Sequence, residues 1–318
     1  MQTLLDTAMD RTVLPGYTSL GYRARRALRH DPELPRIDGR VVLVTGATAG
    51  LGRAAAEGFA RLGARVLLLA RDAGRGERAR KEIAKATGND DLAVVHCDVS
   101  DLASVREAAA HVLESEPLLH VLVNNAGVLP PRREQTPAGL ELTFATNVLG
   151  PFLLTNLLIP RLRECAPARI ITVSSGGMYT QRIDVDDLQT EHRSYDGPQV
   201  YGRTKRAEVI LTELWADRLR GTGVVAHAMH PGWARTPGVA SSLPRFNRVM
   251  QPLLRTPEEG ADTIIWLGAA DEPAASTGLF WHDRRPRPTH RVPWTKETPE
   301  DRERLWRACA ELSDWTED

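Results

Sequence analysis

Cysteine is scarce in this chain of 318 residues: there are 3, Cys97, Cys165 and Cys309, an odd number set far apart. That argues against a disulfide framework and against the paired spacing of a zinc site, and it fits a reducing cytoplasm. Excess charge is missing as well. With 41 basic and 41 acidic residues the formal net charge is zero, so nothing electrostatic points to nucleic acid or to an acidic partner. No uninterrupted apolar run reaches about 18 residues, and Met1 to Asp10 lacks the basic and apolar regions of a signal peptide. The expectation is a cytoplasmic protein acting on a small molecule. The length is enough for one large α/β domain or two small ones with a substantial core.

Residues 1–38 precede the first strand signal and hold one helical pattern, in which Tyr17, Leu20, Ala24, Ala27 and Leu28 share a face. The opposite face carries Arg23, Arg25, Arg26 and Arg29. Such a helix could rest on anionic lipid, but packing on the domain surface is the simpler reading. Pro32 and Pro35 then break the pattern and make a short linker.

From Val41 the chain reads Val-Val-Leu-Val-Thr, a β-branched apolar run of the kind buried on both faces of a parallel sheet. The turn that follows has Thr45-Gly46-x-x-x-Gly50-Leu51-Gly52, and a helix comes next over Ala54 to Leu62. Strand, glycines and helix start in this order build a phosphate site, because the glycines admit a pyrophosphate to the backbone and the helix start offers free N–H groups. The next strand, Arg65 to Ala70, ends at Arg71, where the adenosine ribose of a dinucleotide sits. A guanidinium there suits a 2′-phosphate, so NADP is expected over NAD. Asp98, followed by Val99, is a candidate for the adenine edge, with helix capping shared with Ser100 and Asp101 as the alternative.

Further along, Asn124-Asn125-Ala126-Gly127 closes another short strand with small and amide residues that suit a wall for a flat cofactor or an ordinary turn. Asn147 is a polar group in apolar company. Ser174 and Ser175 follow the strand Arg169 to Val173, at the carboxyl end where open α/β sheets place their ligands. Tyr201 and Lys205 stand four apart, on one face of a helix running to about Leu219. A phenol, with an ordinary pKa of about 10, ionises more readily beside a fixed cation.

Taken together, these motifs resemble the short-chain dehydrogenase/reductase family. The matching set is Thr45-Gly46-x-x-x-Gly50-x-Gly52, Asn124-Asn125-Ala126-Gly127, Asn147, Ser175, Tyr201-x-x-x-Lys205 and Pro231-Gly232 with Thr236, in the family's order over about residues 40–282. The resemblance implies one doubly wound Rossmann α/β domain over 39–283, with about seven parallel strands and helices on both faces, flanked by extensions at 1–38 and 284–318. It implies NADP-dependent interconversion of an alcohol and a carbonyl on a fairly apolar substrate. By that resemblance Tyr201 exchanges a proton with the substrate oxygen, Ser175 orients that oxygen, Lys205 binds the nicotinamide ribose, and Asn147 holds a water linking Lys205 to solvent. Thr45, Leu51, Val99, Asn125, Ala126, Gly127, Pro231, Gly232 and Thr236 would line the cofactor. A cofactor-binding scaffold and a nucleotide-sugar epimerase or dehydratase remain as alternatives, and a homo-oligomer stays open.

One departure from the family pattern is length. Between Ser175 and Tyr201 lie 25 residues, more than the family's usual spacing, and the resemblance makes them a rim of a pocket for a retinoid- or steroid-like molecule. Residues 237–256, with Leu243, Phe246, Val249, Met250, Leu253 and Leu254, read equally as a lid or as a helix packed on the core. A last helix near Glu300 to Leu312 covers the domain or joins a partner.

Overall fold

In the computed structural model, residues 6–7, 9–10, 12, 16–29, 33–235 and 248–317 are described. The apolar runs become the strands β1 Val41–Thr45, β2 Arg65–Ala70, β3 Leu92–His96, β4 Val121–Asn124, β5 Ala168–Val173, β6 Val224–Met229 and β7 Phe280–His282. They lie in the order β3-β2-β1-β4-β5-β6-β7, each neighbour parallel. Strand side chains alternate between faces, and β1 shows the consequence. Val41 and Leu43 enter one apolar cluster while Val42 and Val44 enter another on the opposite face. Both layers are helical, so a continuous apolar run is what such a strand requires.

Eight helices accompany the sheet among the described residues: α1 Ser19–Arg29, α2 Gly50–Arg61, α3 Ala73–Thr87, α4 Leu102–Ser115, α5 Leu142–Glu164, α6 Gly197–Arg218, α7 Pro257–Ala269 and α8 Pro299–Leu312. The order of β3-β2-β1 against β4-β5-β6 reverses at β1 and β4, and ligands of such sheets bind in the crevice beyond the strand ends at that reversal. Helix α5 is apolar and long enough to span a bilayer, with mean hydropathy 1.5, although no plain apolar run is visible in its sequence. Its polar residues Thr143, Asn147, Thr155 and Asn156 are all buried, and 83% of the apolar window is inside the protein. It is a core helix.

Two parts of the fold differ from expectation. A short eighth strand, β8 Arg285–Arg287, pairs antiparallel with β7. The turn between them puts Asp283 and Arg284 at φ 51° and 56° without a glycine, held by ion pairs from Asp283 to Arg255 and Arg25 and from Arg284 to Asp262. The second difference is α1. Leu20 is 61% exposed and Ala24 and Ala27 face solvent, whereas Tyr22 and Arg25 are buried. Of the expected apolar face only Tyr17, just before the helix, is buried, and α1 itself packs on the domain through Tyr22 and Arg25. Its arginines are engaged as well, Arg25 with Asp6 and Asp283 and Arg23 with Glu259. The tail helix α8 covers the domain, burying Leu305, Trp306 and Cys309, with the Trp306 ring edge-on to Phe152 at 5.0 Å.

Under the N-terminal segment the imidazoles of His230 and His282 stack at 3.9 Å, with the Tyr17 ring 4.6 Å from His230. Burial is the main cause that holds both well below the ordinary histidine range, followed by Arg255 for His230 and by His230 and then Arg255 for His282. An unfolded chain protonates each near pH 6.5, so stability is lost as pH falls through that value, by about 1.4 kcal/mol per unit for each histidine. Glu208 works in the opposite sense, since burial raises its carboxyl to about 7 and it offsets one of the two. A net fall in Tm between pH 6.5 and 5 is expected in thermal melts, and a flat or rising Tm would show that the histidines do not stay neutral.

Candidate active site

The glycine turn after β1 is built around Thr45. Its buried hydroxyl donates to the Val123 carbonyl at 3.3 Å and accepts from the N–H groups of Asn125 and Ala126 at 2.8 and 2.9 Å. Asn125 returns a bond from its amide Nδ2 to the Thr45 carbonyl at 2.8 Å. This stitches the ends of β1 and β4 together. A Cβ on Gly52 would lie 2.4 Å from both Asn125 Nδ2 and the Gly46 carbonyl oxygen, and Gly46 has φ +65°. Only glycine fits at these two positions. Helix α2 begins here with no side-chain cap at Ala49 and no acidic residue in its first turn. Its first N–H groups and positive dipole end are thus left for an anion. The cradle fits a dinucleotide pyrophosphate.

At the end of β2, Arg71 is 72% exposed and stands 3.8 Å from Asp98. Asp72 is turned away to cap α3 through the N–H of Arg75. Asp98 accepts from the N–H and hydroxyl of Ser100 through Oδ1, at 3.0 and 2.7 Å, while Asp101 caps α4. Its Oδ1 therefore shapes a turn. Val99 is buried, and its carbonyl lies where a Cβ on Gly150 would be 2.0 Å away.

Two of the candidate catalytic residues, Asn147 and Lys205, meet at Gly127. A Cβ there would be 3.3 Å from Asn147 Oδ1 and 3.4 Å from Lys205 Nζ, so both side chains converge on this one residue. Asn147 sits in a π-helical turn of α5, Ala145–Leu149, the kind of irregularity that re-aims a side chain at a functional site. Its Oδ1 accepts from the N–H of Val128 at 2.8 Å and its Nδ2 donates to the Thr204 hydroxyl at 3.0 Å. That clamps the chain after β4 to helix α6. Lys205 Nζ lies 5.4 Å from the centre of the Tyr201 ring and donates to the Val173 carbonyl at 2.9 Å and to Glu208 Oε1 at 2.7 Å. Burial works against its charge, but the charges of Glu208 and Tyr201 outweigh that and hold the ammonium above the ordinary lysine value.

The two serines separate cleanly. Ser174 is buried and donates to the Lys205 carbonyl at 2.8 Å, whereas Ser175 is half-buried and accepts only from the N–H of Gly177, at 3.2 Å. The short 3-10 turn Gly176–Thr180 lies directly on α6. A Cβ on Gly202 would be 3.1 Å from the Gly177 carbonyl, so the segment after Ser175 rests against the turn carrying Tyr201.

Pro231 and Gly232 follow β6, where Gly232 has φ +73° and the Pro231 carbonyl accepts from Arg255 at 3.1 Å. Thr236 and residues 237–247 lie outside the described residues. Of the rest of the candidate lid, Val249 is 76% exposed and Leu254 is buried. The long segment between Ser175 and Tyr201 is tied down by Asp187, which accepts from the Glu191 N–H and from Arg193, and by the hydroxyl pair Tyr195 and Thr143. A hollow of about 480 Å³ on this segment is lined by Arg182, Asp184, Asp186, Arg193, Arg203 and Asp301 and by none of the catalytic set.

Sequence reasoning missed three residues that touch this site. Glu208, three positions after Lys205 on the same helix face, was available as a spacing signal. Thr204, the anchor for Asn147, was not. Tyr17 lies against the site through contacts remote in sequence: its carbonyl accepts from the N–H of Trp233, and its ring is where a Cβ on Gly176 would be 2.7 Å away.

A family model described as short chain dehydrogenase matches residues 40–245. The chain is 40% identical over 301 residues to dehydrogenase/reductase SDR family member 12 of Homo sapiens, covering 93% of this chain and 94% of that protein. It is 38% identical over 279 residues to retinol dehydrogenase 12 of Mus musculus, covering 87% of each. Among solved structures, a protein of Mycobacterium paratuberculosis superposes with a TM-score of 0.72 at 29% identity, over 89% of this chain and 96% of that one. Two more carry cofactors. RhlG of Pseudomonas aeruginosa with NADP has a TM-score of 0.64 at 26% identity, over 77% and 94%, and a 3-ketoacyl-(acyl-carrier-protein) reductase of Brucella melitensis with NADH has 0.62 at 26%, over 76% and 96%. The chain belongs to the short-chain dehydrogenase/reductase family of oxidoreductases.

Proposed function

We propose that this enzyme interconverts an alcohol and a carbonyl on a fairly apolar small molecule, using NADP. The observation that carries the reading is the convergence of Lys205 and Asn147 on Gly127, with the Tyr201 ring beside Lys205. Gly46, Gly50, Leu51, Gly52 and the free start of α2 would hold the pyrophosphate, Asp98 and Val99 the adenine edge, and Asn125, Ala126 and Gly127 the wall toward the nicotinamide. Pro231, Gly232 and Thr236 would close the far side. When bound, the nicotinamide supplies or accepts a hydride at its C4.

In the reductive direction Tyr201 gives its phenolic proton to the substrate oxygen, and in the oxidative direction it takes that proton back. Ser175 holds the same oxygen with a hydrogen bond, since among the described residues its hydroxyl makes no bond as a donor. Lys205 keeps a positive charge beside Tyr201, where negative charge develops as the phenolic proton leaves. Asn147 keeps the α5 turn and the Val128 backbone in register with α6 and would hold a water that links Lys205 to solvent. The apolar character of the substrate follows the retinol dehydrogenases to which the chain is similar.

The preference for NADP rests on Arg71, which is exposed at the end of β2 with its nearest carboxylate, that of Asp98, 3.8 Å away. Arg71→Asp should shift the ratio of kcat/KM for NADPH over NADH toward NADH by about 10–100-fold, the worth of one charge-assisted contact turned into repulsion. An unchanged ratio would assign the preference elsewhere. Following NADPH absorbance across a panel of apolar aldehydes, ketones and alcohols tests the reaction, and retention of NADP through turnover would indicate an epimerase instead.

A further inference from the structure

Helix α6 buries a carboxylate beneath the active site for which the mechanism above has no use. Glu208 lies one turn beyond Lys205, with the two side chains 5% and 3% exposed. Its Oε1 accepts from Lys205 Nζ at 2.7 Å, and its Oε2, also buried, has no hydrogen-bond partner among the described residues. Placing a carboxylate in the interior is costly unless a charge answers it. Among the described residues the only charge acting on it is that of Lys205. Among the described residues the elements packed against α6 bring no second ionisable group to the carboxylate: β5 and its end present Thr172, the Val173 carbonyl and Ser174, and the π turn of α5 presents Asn147. His227 of β6 and Tyr179 of the 3-10 turn bond instead to the carbonyls of Pro273 and Pro288. From α6 itself Tyr201 acts on the lysine.

The relation also runs the other way. Lys205 is buried, and burial alone would drive an ammonium toward its neutral form. Its other fixed bond is to a neutral carbonyl, that of Val173. Glu208 is thus the one full counter-charge that answers Lys205 in the described structure. We propose that Glu208 is a positioning residue for the active-site lysine, a buried counter-ion that fixes the ammonium beside Tyr201 and keeps it charged from neutral pH upward. Without it the lysine keeps its burial and loses its answering charge. The ammonium would then shed its proton at lower pH, and the Tyr201 phenolate would lose its neighbouring cation there.

This inference rests on the reading of Tyr201 and Lys205 as the proton-transfer pair, but its test does not need turnover. The chain has lysines only at positions 81, 85, 205 and 296, and Lys81, Lys85 and Lys296 are exposed. In protein labelled with carbon-13 at lysine Cε, the buried Lys205 signal is assigned by its loss in Lys205→Arg, and its chemical shift is followed against pH without cofactor. In the native protein Lys205 should stay charged beyond the ordinary lysine value of about 10.4. Glu208→Gln should lower its midpoint by one unit or more, a tenfold or greater rise in its acid dissociation constant. Glu208→Asp should restore most of the shift. In the active enzyme the alkaline limb of kcat/KM should move down by the same amount.

A native Lys205 that titrates below the ordinary lysine value overturns the proposal, and that measurement needs no variant. So does an unmoved midpoint in Glu208→Gln. A protein that shows the lysine shift yet never oxidises NADPH would instead overturn the function proposed above and leave the counter-ion role standing.

Discussion

Tyr201→Phe is expected to lower kcat/KM by roughly 10²–10⁴-fold, the usual worth of a positioned proton donor, while NADPH affinity stays within about threefold of the native value. The substitution removes one oxygen and leaves the ring. That ring, 5.4 Å from Lys205 Nζ, sits on a helix whose backbone is held by Thr204, Ser174 and the Asp196 cap, none of which uses the phenol. The lysine keeps its bonds to Val173 and Glu208. Loss of turnover with intact binding therefore isolates the proton. Ser175→Ala, which removes a hydrogen bond to the substrate oxygen, should cost less. A Tyr201→Phe enzyme with native turnover would remove Tyr201 from the mechanism.

The largest effect on stability is expected at Asp283. Its carboxylate receives Arg255 at 2.6 and 2.9 Å and Arg25 at 2.6 Å, and all three side chains are buried. Burial pushes the acid up, but the two guanidiniums outweigh it and hold the carboxyl below the usual range. Asp283→Ala would leave two buried cations without their shared anion, at a cost of about 3–5 kcal/mol. The same network ties the N-terminal segment to the site. Arg25 and Arg255 both donate to the Gly16 carbonyl, and Arg255 also reaches the Pro231 carbonyl. Urea denaturation should show the midpoint falling steeply for Asp283→Ala, and a loss under about 1 kcal/mol would place the network among ordinary surface ion pairs.

What the sequence could reveal follows from the range of the interactions. The seven parallel strands are legible because burial on both faces leaves an unbroken apolar run, as in Val41–Thr45 and Arg65–Ala70. The glycine cradle is legible because Gly46 and Gly52 are required by close backbone approach. The strand β8 was not, since its turn uses Asp283 and Arg284 in the left-handed region and is held by Arg255, Arg25 and Asp262, remote in sequence. For the same reason the buried face of α1 was legible only at Tyr17: Arg25 is buried because Asp6 and Asp283 meet it in the folded chain. Buried ion pairs carry no periodic signature. The pair Lys205 and Glu208 is intermediate, with helical spacing that was visible and burial that was not.

The central claim, that the site built on Tyr201 and Lys205 moves a hydride between NADPH and a carbonyl carbon, is tested most directly with NADPH deuterated at C4. Native enzyme incubated with an apolar aldehyde should place deuterium on the carbinol carbon of the product, and Tyr201→Phe should bind the labelled cofactor but transfer almost none. Native enzyme that binds the labelled cofactor yet delivers no deuterium to any aldehyde or ketone of the panel, or equal transfer by Tyr201→Phe, would contradict it.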